Sequence, residues 1–304
     1  MTDTIAIERA AGKTGPTTAV ARGTRRSARP PWEEPPTAVG QAAKGLTLGG
    51  VMVVVLVPLW IIVVTSFSTP AAINRAGGLV LWPDGLTAEP YREMLGDPTV
   101  RTALLVSLGI TGVGTALSMV VSILCAYGLS RSRSLGHRFL LILLIVTMFV
   151  SGGLIPTFLV VTGLGGYGQW WALIVPSAVS VFNILVLRSF YSETSADLIE
   201  AARIDGAGDW RILWSIVLPT SRAVTAVIAL FYAVGYWNSF FNVMLYLPTD
   251  SQKWPLQYVL YTYVNRGNGL PGSINSGFGT AHAQTAPLSL QMAVVVLTLV
   301  PLLI

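Results

Sequence analysis

The sequence predicts an all-α polytopic membrane protein with six transmembrane helices and a cytoplasmic loop between the fourth and fifth of them. Of its 304 residues 53% are hydrophobic and only 11% are charged, whereas soluble domains carry about 25% charged residues. Long stretches without any charge recur along the chain, and crossing a bilayer takes roughly 20 predominantly apolar residues. These observations place the chain among integral membrane proteins before any motif is considered.

The chain divides into a polar tail and one membrane domain. Residues 1–45 are rich in Ala, Thr, Arg and Pro and show no periodicity, which predicts a disordered cytoplasmic tail. Residues 46–304 form the predicted transmembrane domain. Its charge-free apolar stretches predict spans at about 46–67, 102–129, 139–160, 172–187, 223–247 and 288–304.

The basic residues predict the orientation of these spans. With the N-terminus inside, 14 of the 19 Lys and Arg residues lie on the cytoplasmic side. Such a bias is the usual sign of the cytoplasmic face. The tail and the loop at 192–220 are therefore predicted to be cytoplasmic, and the loops at 68–101 and 248–287 to lie outside.

Several classes of site are disfavoured. None of the 14 carboxylates falls within a predicted span. This absence weakens the interpretation of the chain as an ion-driven transporter and disfavours an intramembrane aspartyl enzyme. His137 and His282 fall on opposite sides of the membrane, so a two-histidine metal site is excluded. "GKT" at 12–14 lacks the earlier glycine of a phosphate-binding loop, because position 7 is Ile7. We predict no catalytic site, no metal and no cofactor bound by this chain. The net charge of +5 is explained by the basic residues that set the orientation of the spans, and it does not indicate binding to nucleic acid.

The loop carries the most informative stretch, "EAARIDGAGDWRILWSIVLP" at 200–219. Its five charged residues prevent it from spanning, since each costs about 2.5–3.5 kcal/mol at the bilayer centre. Gly206 and Gly208 predict a break between two short helices, with Asp209 as the cap of the second. Trp210, Leu213, Trp214 and Val217 follow at helical spacing and predict one apolar stripe. This hairpin either packs on its own bundle or is offered to a cytosolic partner.

The fixed spacing of this stretch resembles the EAA motif of ABC importer permeases. Glu200, Ala201 and Ala202 are followed by Gly206 and by Ile216-x-Leu218-Pro219. Further stretches, such as "FYAVGYWNSFFNVMLYL", are similar to the carbohydrate-uptake branch related to the maltose permease G subunit. The resemblance covers about residues 46–304.

The resemblance implies a mechanism and a set of partners. The EAA loop would form a coupling helix seated in a groove of a separate ATPase subunit. The coupling residues would be Glu200, Ala201, Ala202, Asp205, Gly206, Leu218 and Pro219. The partners would be a second permease subunit, two ATPase subunits that bind ATP and Mg, and an extracytoplasmic solute-binding protein. The location would be the bacterial cytoplasmic membrane.

Polar and aromatic residues at membrane depth are candidates for a substrate pathway. They are Asn183, Tyr232, Tyr236, Trp237, Asn238, Asn242 and Gln291. Hydrogen bonds between helices are the alternative for each of them, and Trp237 can equally be an interface anchor. The outer loop at 248–287 is a candidate docking site for the binding protein, and capping of the bundle is its alternative. The identity of the sugar is not predicted.

Two other functions remain open at this stage. The first is a membrane scaffold that recruits a cytosolic protein through the same hairpin without passing solute. The second is a transporter driven by an ion gradient. ATP-dependent transport with partners present separates both from an importer subunit.

Overall fold

The computed structural model describes residues 37–131, 136–150, 152–193, 196–266 and 288–303. This part of the chain is helical, without a strand longer than the isolated bridge between Ser68 and Leu86. The long helices are α1 (Ala38–Ser66), α4 (Pro98–Ser130), α8 (Val181–Glu193), α12 (Arg222–Trp237) and α15 (Leu288–Leu303). The shorter ones are α2 (Pro70–Ala76), α3 (Glu89–Gly96), α5 (His137–Phe149), α6 (Leu154–Gly163), α7 (Trp171–Ile174), α9 (Ala196–Ile204), α10 (Asp209–Ile212), α11 (Leu218–Thr220), α13 (Phe241–Tyr246) and α14 (Leu256–Arg266).

The chain divides into two units at Val54, within α1. The described part of the first unit is exposed helix that begins earlier than predicted. Thr37 accepts a hydrogen bond from the amide of Gly40 at 3.2 Å and so caps the helix. Helix α1 therefore begins before residue 45, because the cap and the helix-forming residues after it extend α1 beyond the apolar run. Residues 1–36 lie outside the described part.

Helix α4 forms the centre of the second unit, which runs from Val55 to Ile304. It packs along α8 and α12 with a face of small residues, among them Gly114, Ser118 and Ser122. A Cβ atom at Gly114 would lie 2.8 Å from the Tyr236 ring. The absent side chain therefore permits the close approach of α12 at this level.

Among the described residues two helices, α1 and α4, are each long and apolar enough to cross a membrane alone. Three further pairs qualify only as bent spans: α5 with α6 at 113°, Trp171–Ser177 with α8 at 50°, and Asp209–Thr220 with α12 at 85°. The structure thus divides the helix predicted at 139–160, and Gly153 at the break has a φ of +81°. Hydropathy does not register such a bend, since the residues on both sides are equally apolar. The count of six spans stays a prediction.

The segment after α1 is held as a compact unit by backbone and aromatic contacts. Thr87 donates to the carbonyl of Phe67 at 2.7 Å, and the rings of Phe67 and Tyr91 stack with centroids 4.7 Å apart. The Ser66 and Tyr91 hydroxyls are 2.8 Å apart. Burial raises the pKa of Tyr91, while the hydrogen bond with Ser66 lowers it. The predicted outside loop at 68–101 is therefore ordered structure that positions the start of α4.

Candidate functional site

The first helix of the loop, α9, ends at a glycine in the left-handed region. Gly206 has a φ of +78°, and its amide donates to the carbonyl of Arg203 at 3.0 Å. The amide of Ala207 donates to the carbonyl of Ala202 at 2.9 Å. These two bonds are those of a Schellman motif, in which a glycine usually supplies the left-handed residue. The predicted helix break at Gly206 is confirmed.

Helix α9 has a packed face and an open face. Ile199 and Ala202 are partly buried against the core, as is Ala207 beyond the helix end. Glu200, Ala201 and Asp205 are exposed. The motif therefore presents a carboxylate and a small side chain outward while its other face fixes the helix to the bundle.

The second helix begins one residue earlier in the loop than a cap at Asp209 would place it. Gly208 is the extended residue before α10, and Asp209 is the first helical residue. An acidic residue at this position stabilises the positive end of a helix. The prediction that Asp209 caps the helix is therefore wrong by one position.

The apolar stripe of the second helix is split between two surroundings. Leu213 and Val217 are buried together with Ile212. Trp210 and Trp214 remain 66% and 64% exposed. The prediction of one uniform face fails, because Leu213–Val217 forms a π-helical turn that changes the spacing of the faces.

Pro219 explains the position of the wide turn. A proline has no amide hydrogen for the carbonyl four residues earlier, and its ring clashes with that carbonyl in a regular helix. The amide of Leu218 instead bonds to the carbonyl of Leu213, and Pro219 follows at the start of α11. Leu218 packs partly against the core, whereas Pro219 is exposed. The end of the motif thus shapes the turn into α12.

The end of α4 holds the start of α10. The Arg131 guanidinium lies 2.5 Å from the Asp209 carboxylate and also contacts the Tyr127 hydroxyl. Tyr127 donates to the backbone carbonyl of Asp209 at 3.1 Å. We call these three residues the α4 clamp. Nothing in the sequence pointed to the clamp, because Asp209 is far along the chain from Tyr127 and Arg131.

Removing the ion pair of the clamp is expected to destabilise the protein modestly. We expect Arg131→Gln and Asp209→Asn to show a coupling energy of about 0.5–1 kcal/mol in a double-mutant cycle, since Asp209 is largely exposed and such pairs are weak. The measurement is the free energy of unfolding in detergent. The exposed pair Arg75 and Asp84, at 2.6 Å, serves as the control and should couple less. Additive single effects at Arg131 and Asp209 would contradict the clamp.

Two candidate pathway tyrosines form bonds inside the bundle. The Tyr232 hydroxyl accepts from the amide of Ser180 at 3.2 Å and lies 2.7 Å from the Ser122 hydroxyl. Tyr236 donates to the carbonyl of Ile174 at 3.1 Å and lies 2.8 Å from the Ser118 hydroxyl. Both tyrosines are buried. Both hydroxyls therefore form hydrogen bonds between helices, which is the alternative given above to a role in the substrate pathway.

These bonds support the broken span between α7 and α8. Backbone groups at a break cannot find water in the hydrocarbon region and need partners from the protein. The two tyrosines supply them, one on each side of the break, and the serines of α4 complete the hydroxyl bonds. The serines were not predicted, because small hydroxyl residues in an apolar run give no separate signal.

Tyr236→Phe is expected to lower stability without changing the substrate concentration for half-maximal uptake. The buried carbonyl of Ile174 would lose its donor, which costs about 1–3 kcal/mol. Thermal unfolding and uptake titration measure the two quantities. Tyr167→Phe, at a residue 49% exposed on a turn, is the control and should leave both unchanged. Unchanged stability with a weakened uptake titration would instead favour direct contact with sugar.

The other candidates are placed differently. The indole of Trp237, 4% exposed, donates to the carbonyl of Thr298 at 3.1 Å and ties α12 to α15, so it is not an interface anchor. Asn238 is exposed and bonds to the carbonyl of Val234 at 3.0 Å. Asn183 is buried on α8, while Asn242 and Gln291 are half-buried. Burial and hydrogen bonds thus place Tyr232, Tyr236 and Trp237 in contacts within the bundle and leave Asn238 exposed.

No group of three or more potential metal ligands occurs among the described residues. His282 lies outside that part of the chain, as do residues 267–287 of the outer loop.

Comparison with known proteins gives consistent similarities. The profile of the family described as "Binding-protein-dependent transport system inner membrane component" matches residues 118–302. The chain is 39% identical over 250 residues to the polygalacturonan/rhamnogalacturonan transport system permease protein YtcP of Bacillus subtilis, covering 82% of this chain and 86% of that protein. It is 30% identical over 218 residues to the diacetylchitobiose uptake system permease protein NgcG of Streptomyces coelicolor, covering 70% and 71%.

A solved structure shows the same fold. It is the crystal structure of a bacterial ABC transporter involved in the import of the acidic polysaccharide alginate. One of its chains superimposes with a TM-score of 0.79 at 26% identity, over 90% of this chain and 96% of that one.

Proposed function

The chain belongs to the family of binding-protein-dependent transport system inner membrane components, as a permease of sugar-importing ABC transporters, and from this premise we propose how it works. It forms half of the translocation pathway for an oligosaccharide, with a second permease subunit forming the other half. Two separate ATPase subunits bind ATP and Mg and drive it. An extracytoplasmic solute-binding protein delivers the sugar.

The observation that carries this proposal is the open face of α9. Glu200, Ala201 and Asp205 are exposed, while Ile199 and Ala202 pack on the core. A helix fixed on one side and free on the other can pass a push from a cytosolic partner to the bundle. Ala201 permits close approach, and Glu200 offers a charge to a basic group of the ATPase.

The force then has two routes into the membrane helices. One runs through the turn at Leu218 and Pro219 into α12, and the other through the α4 clamp. Because α4 packs along both α8 and α12, a displacement of the loop reaches the centre of the bundle. The loop therefore acts on the pathway without containing any catalytic group.

We propose an oligosaccharide as the substrate because of the named relatives. Two of the permeases that this chain resembles are named for transport of polygalacturonan or rhamnogalacturonan and for uptake of diacetylchitobiose. In this chain Asn183, Asn242 and Gln291 are the remaining polar candidates at membrane depth. Their amides offer the donors and acceptors that sugar hydroxyls require.

Reconstitution tests the function. The chain is placed in liposomes with its second permease subunit, ATPase subunits and binding protein, and uptake of labelled oligosaccharides is measured with ATP inside. Uptake that requires ATP and persists after an ionophore removes ion gradients supports the proposal. ATP-independent uptake would indicate an ion-driven transporter. Absence of uptake with intact assembly would favour a scaffold.

A further inference from the structure

The loop segment Asp209–Thr220 lies nearly perpendicular to a membrane helix. It meets α12 at 85°, with Ser221 between them. Helix α12 is apolar and rises roughly 24 Å over its length at about 1.5 Å per residue. If α12 runs across the bilayer, the segment before it must run along the membrane surface.

This surface segment has distinct sides. Ile212, Leu213 and Val217 are buried towards the core. Trp210 and Trp214 are largely exposed and, being four residues apart, lie on the same side. Arg211 and Ser215 are also exposed and follow each tryptophan by one residue. The segment thus turns one apolar side inward and leaves two large indoles uncovered beside a polar side.

The chemistry of the exposed residues fits lipid headgroups. Tryptophan is enriched where membranes meet water, because its ring is apolar while its N–H needs a polar partner. The exposed Arg211 lies between the two tryptophans along the chain, and the exposed Arg222 begins α12 just after the segment. Guanidinium groups at this level attract the anionic phosphates of the cytoplasmic leaflet. The surface assigned to the ATPase, Glu200 and Ala201, lies on the other side of the Gly206 turn.

We propose that Trp210 and Trp214 insert into the headgroup region of the cytoplasmic leaflet and hold the segment Asp209–Thr220 in the membrane plane. The lipid contact gives the loop a fixed support, so that a push on α9 turns into movement of α12 instead of displacing the whole segment. This inference rests on the proposed cytoplasmic placement of the loop.

Spin labels test the surroundings of these side chains in the assembled complex. Cys125 is the single cysteine of the chain, so Cys125→Ser supplies the background for Trp210→Cys, Trp214→Cys and the neighbouring control Ser215→Cys. Each labelled complex is reconstituted in liposomes containing anionic lipid. Collision rates are then measured with oxygen, which concentrates in lipid, and with a water-soluble nickel complex.

The expected result is an opposite collision preference at neighbouring positions of the chain. Labels at positions 210 and 214 should collide more often with oxygen than with nickel, and the label at 215 should show the reverse. Trp210→Phe and Trp214→Phe, measured for uptake, keep an aromatic ring and should retain most activity, which guards against a folding artefact.

Two outcomes overturn the proposal. Labels at 210 and 214 that prefer nickel until the ATPase subunits are added would assign the tryptophans to a protein contact. Labels that prefer nickel with and without the ATPase would show an open aqueous surface. The readout is independent of transport. If the labels at 210 and 214 prefer oxygen in a complex that shows no uptake, the membrane anchor is supported and the proposed function is not. If they prefer nickel in a complex that imports sugar, the anchor alone is overturned.

Discussion

Replacing Glu200 by lysine is expected to reduce ATP-driven uptake by about thirtyfold or more. In the proposed complex Glu200 meets a basic group of the ATPase within a closed contact. Reversing one member of a desolvated charge pair at an interface costs roughly 2–5 kcal/mol. Uptake in reconstituted liposomes and ATP hydrolysis stimulated by the loaded binding protein measure the effect. Both should fall, and capture of the ATPase by the tagged permease should weaken.

Glu193→Lys is the matched control for this substitution. Glu193 is also exposed and lies at the end of α8, before the loop. The substitution Glu193→Lys makes the same change of charge on the same predicted side of the membrane, so a general electrostatic effect would appear in both variants. We expect near-normal uptake with Glu193→Lys. Normal uptake and unchanged ATPase capture with Glu200→Lys would refute the coupling role.

Substituting Gly206 is expected to disrupt coupling in proportion to the strain of the new residue. The φ of +78° at Gly206 lies in a region that costs most L-residues roughly 1–2 kcal/mol. No atom lies within 4 Å of a Cβ atom built there, so the effect comes from the backbone and not from a clash. Asparagine tolerates this region better than alanine, and a β-branched residue tolerates it least.

The expected order of uptake is therefore Gly206→Asn, then Gly206→Ala, then Gly206→Val, with the last close to inactive. Gly208→Ala is the control. Gly208 also has open space around its Cβ position, but its φ is −74°, which any residue adopts. We expect near-normal uptake with Gly208→Ala. Equal losses of uptake in the Gly206 and Gly208 variants would show that the left-handed turn is not the reason why position 206 requires a glycine.

The sequence predicted features of the loop that depend on local chemistry. Five charges excluded a span, and a glycine at the end of α9 could be expected to stop it in the left-handed region. Tyr232 and Tyr236 are four residues apart, a spacing that puts both on one face of α12, and both are buried. Each of these inferences needs only neighbours within a turn or two of helix.

Features that depend on distant residues were not predictable. The partners of Tyr232 and Tyr236 include Ser122 and Ser118, on another helix. These hydrogen bonds between helices show that the two tyrosine hydroxyls stabilise the packing of the bundle. The split of the tryptophan stripe likewise depends on the wide turn before Pro219. The break between α5 and α6 falls at the Ser-Gly-Gly of 151–153, inside a charge-free stretch whose overall hydropathy gives no sign of a change in direction.

The most direct test of the account is whether the open face of α9 touches the ATPase during transport. A single cysteine at position 201, in the Cys125→Ser background, is paired with cysteines along the expected groove of the ATPase subunit. A cysteine at Ser192, which is exposed near the end of α8, is the control. The account predicts strong cross-linking from position 201 that changes with nucleotide, weak cross-linking from position 192, and uptake blocked by the cross-link and restored by reduction. Absence of cross-linking from position 201 in a complex that assembles and imports sugar would contradict it.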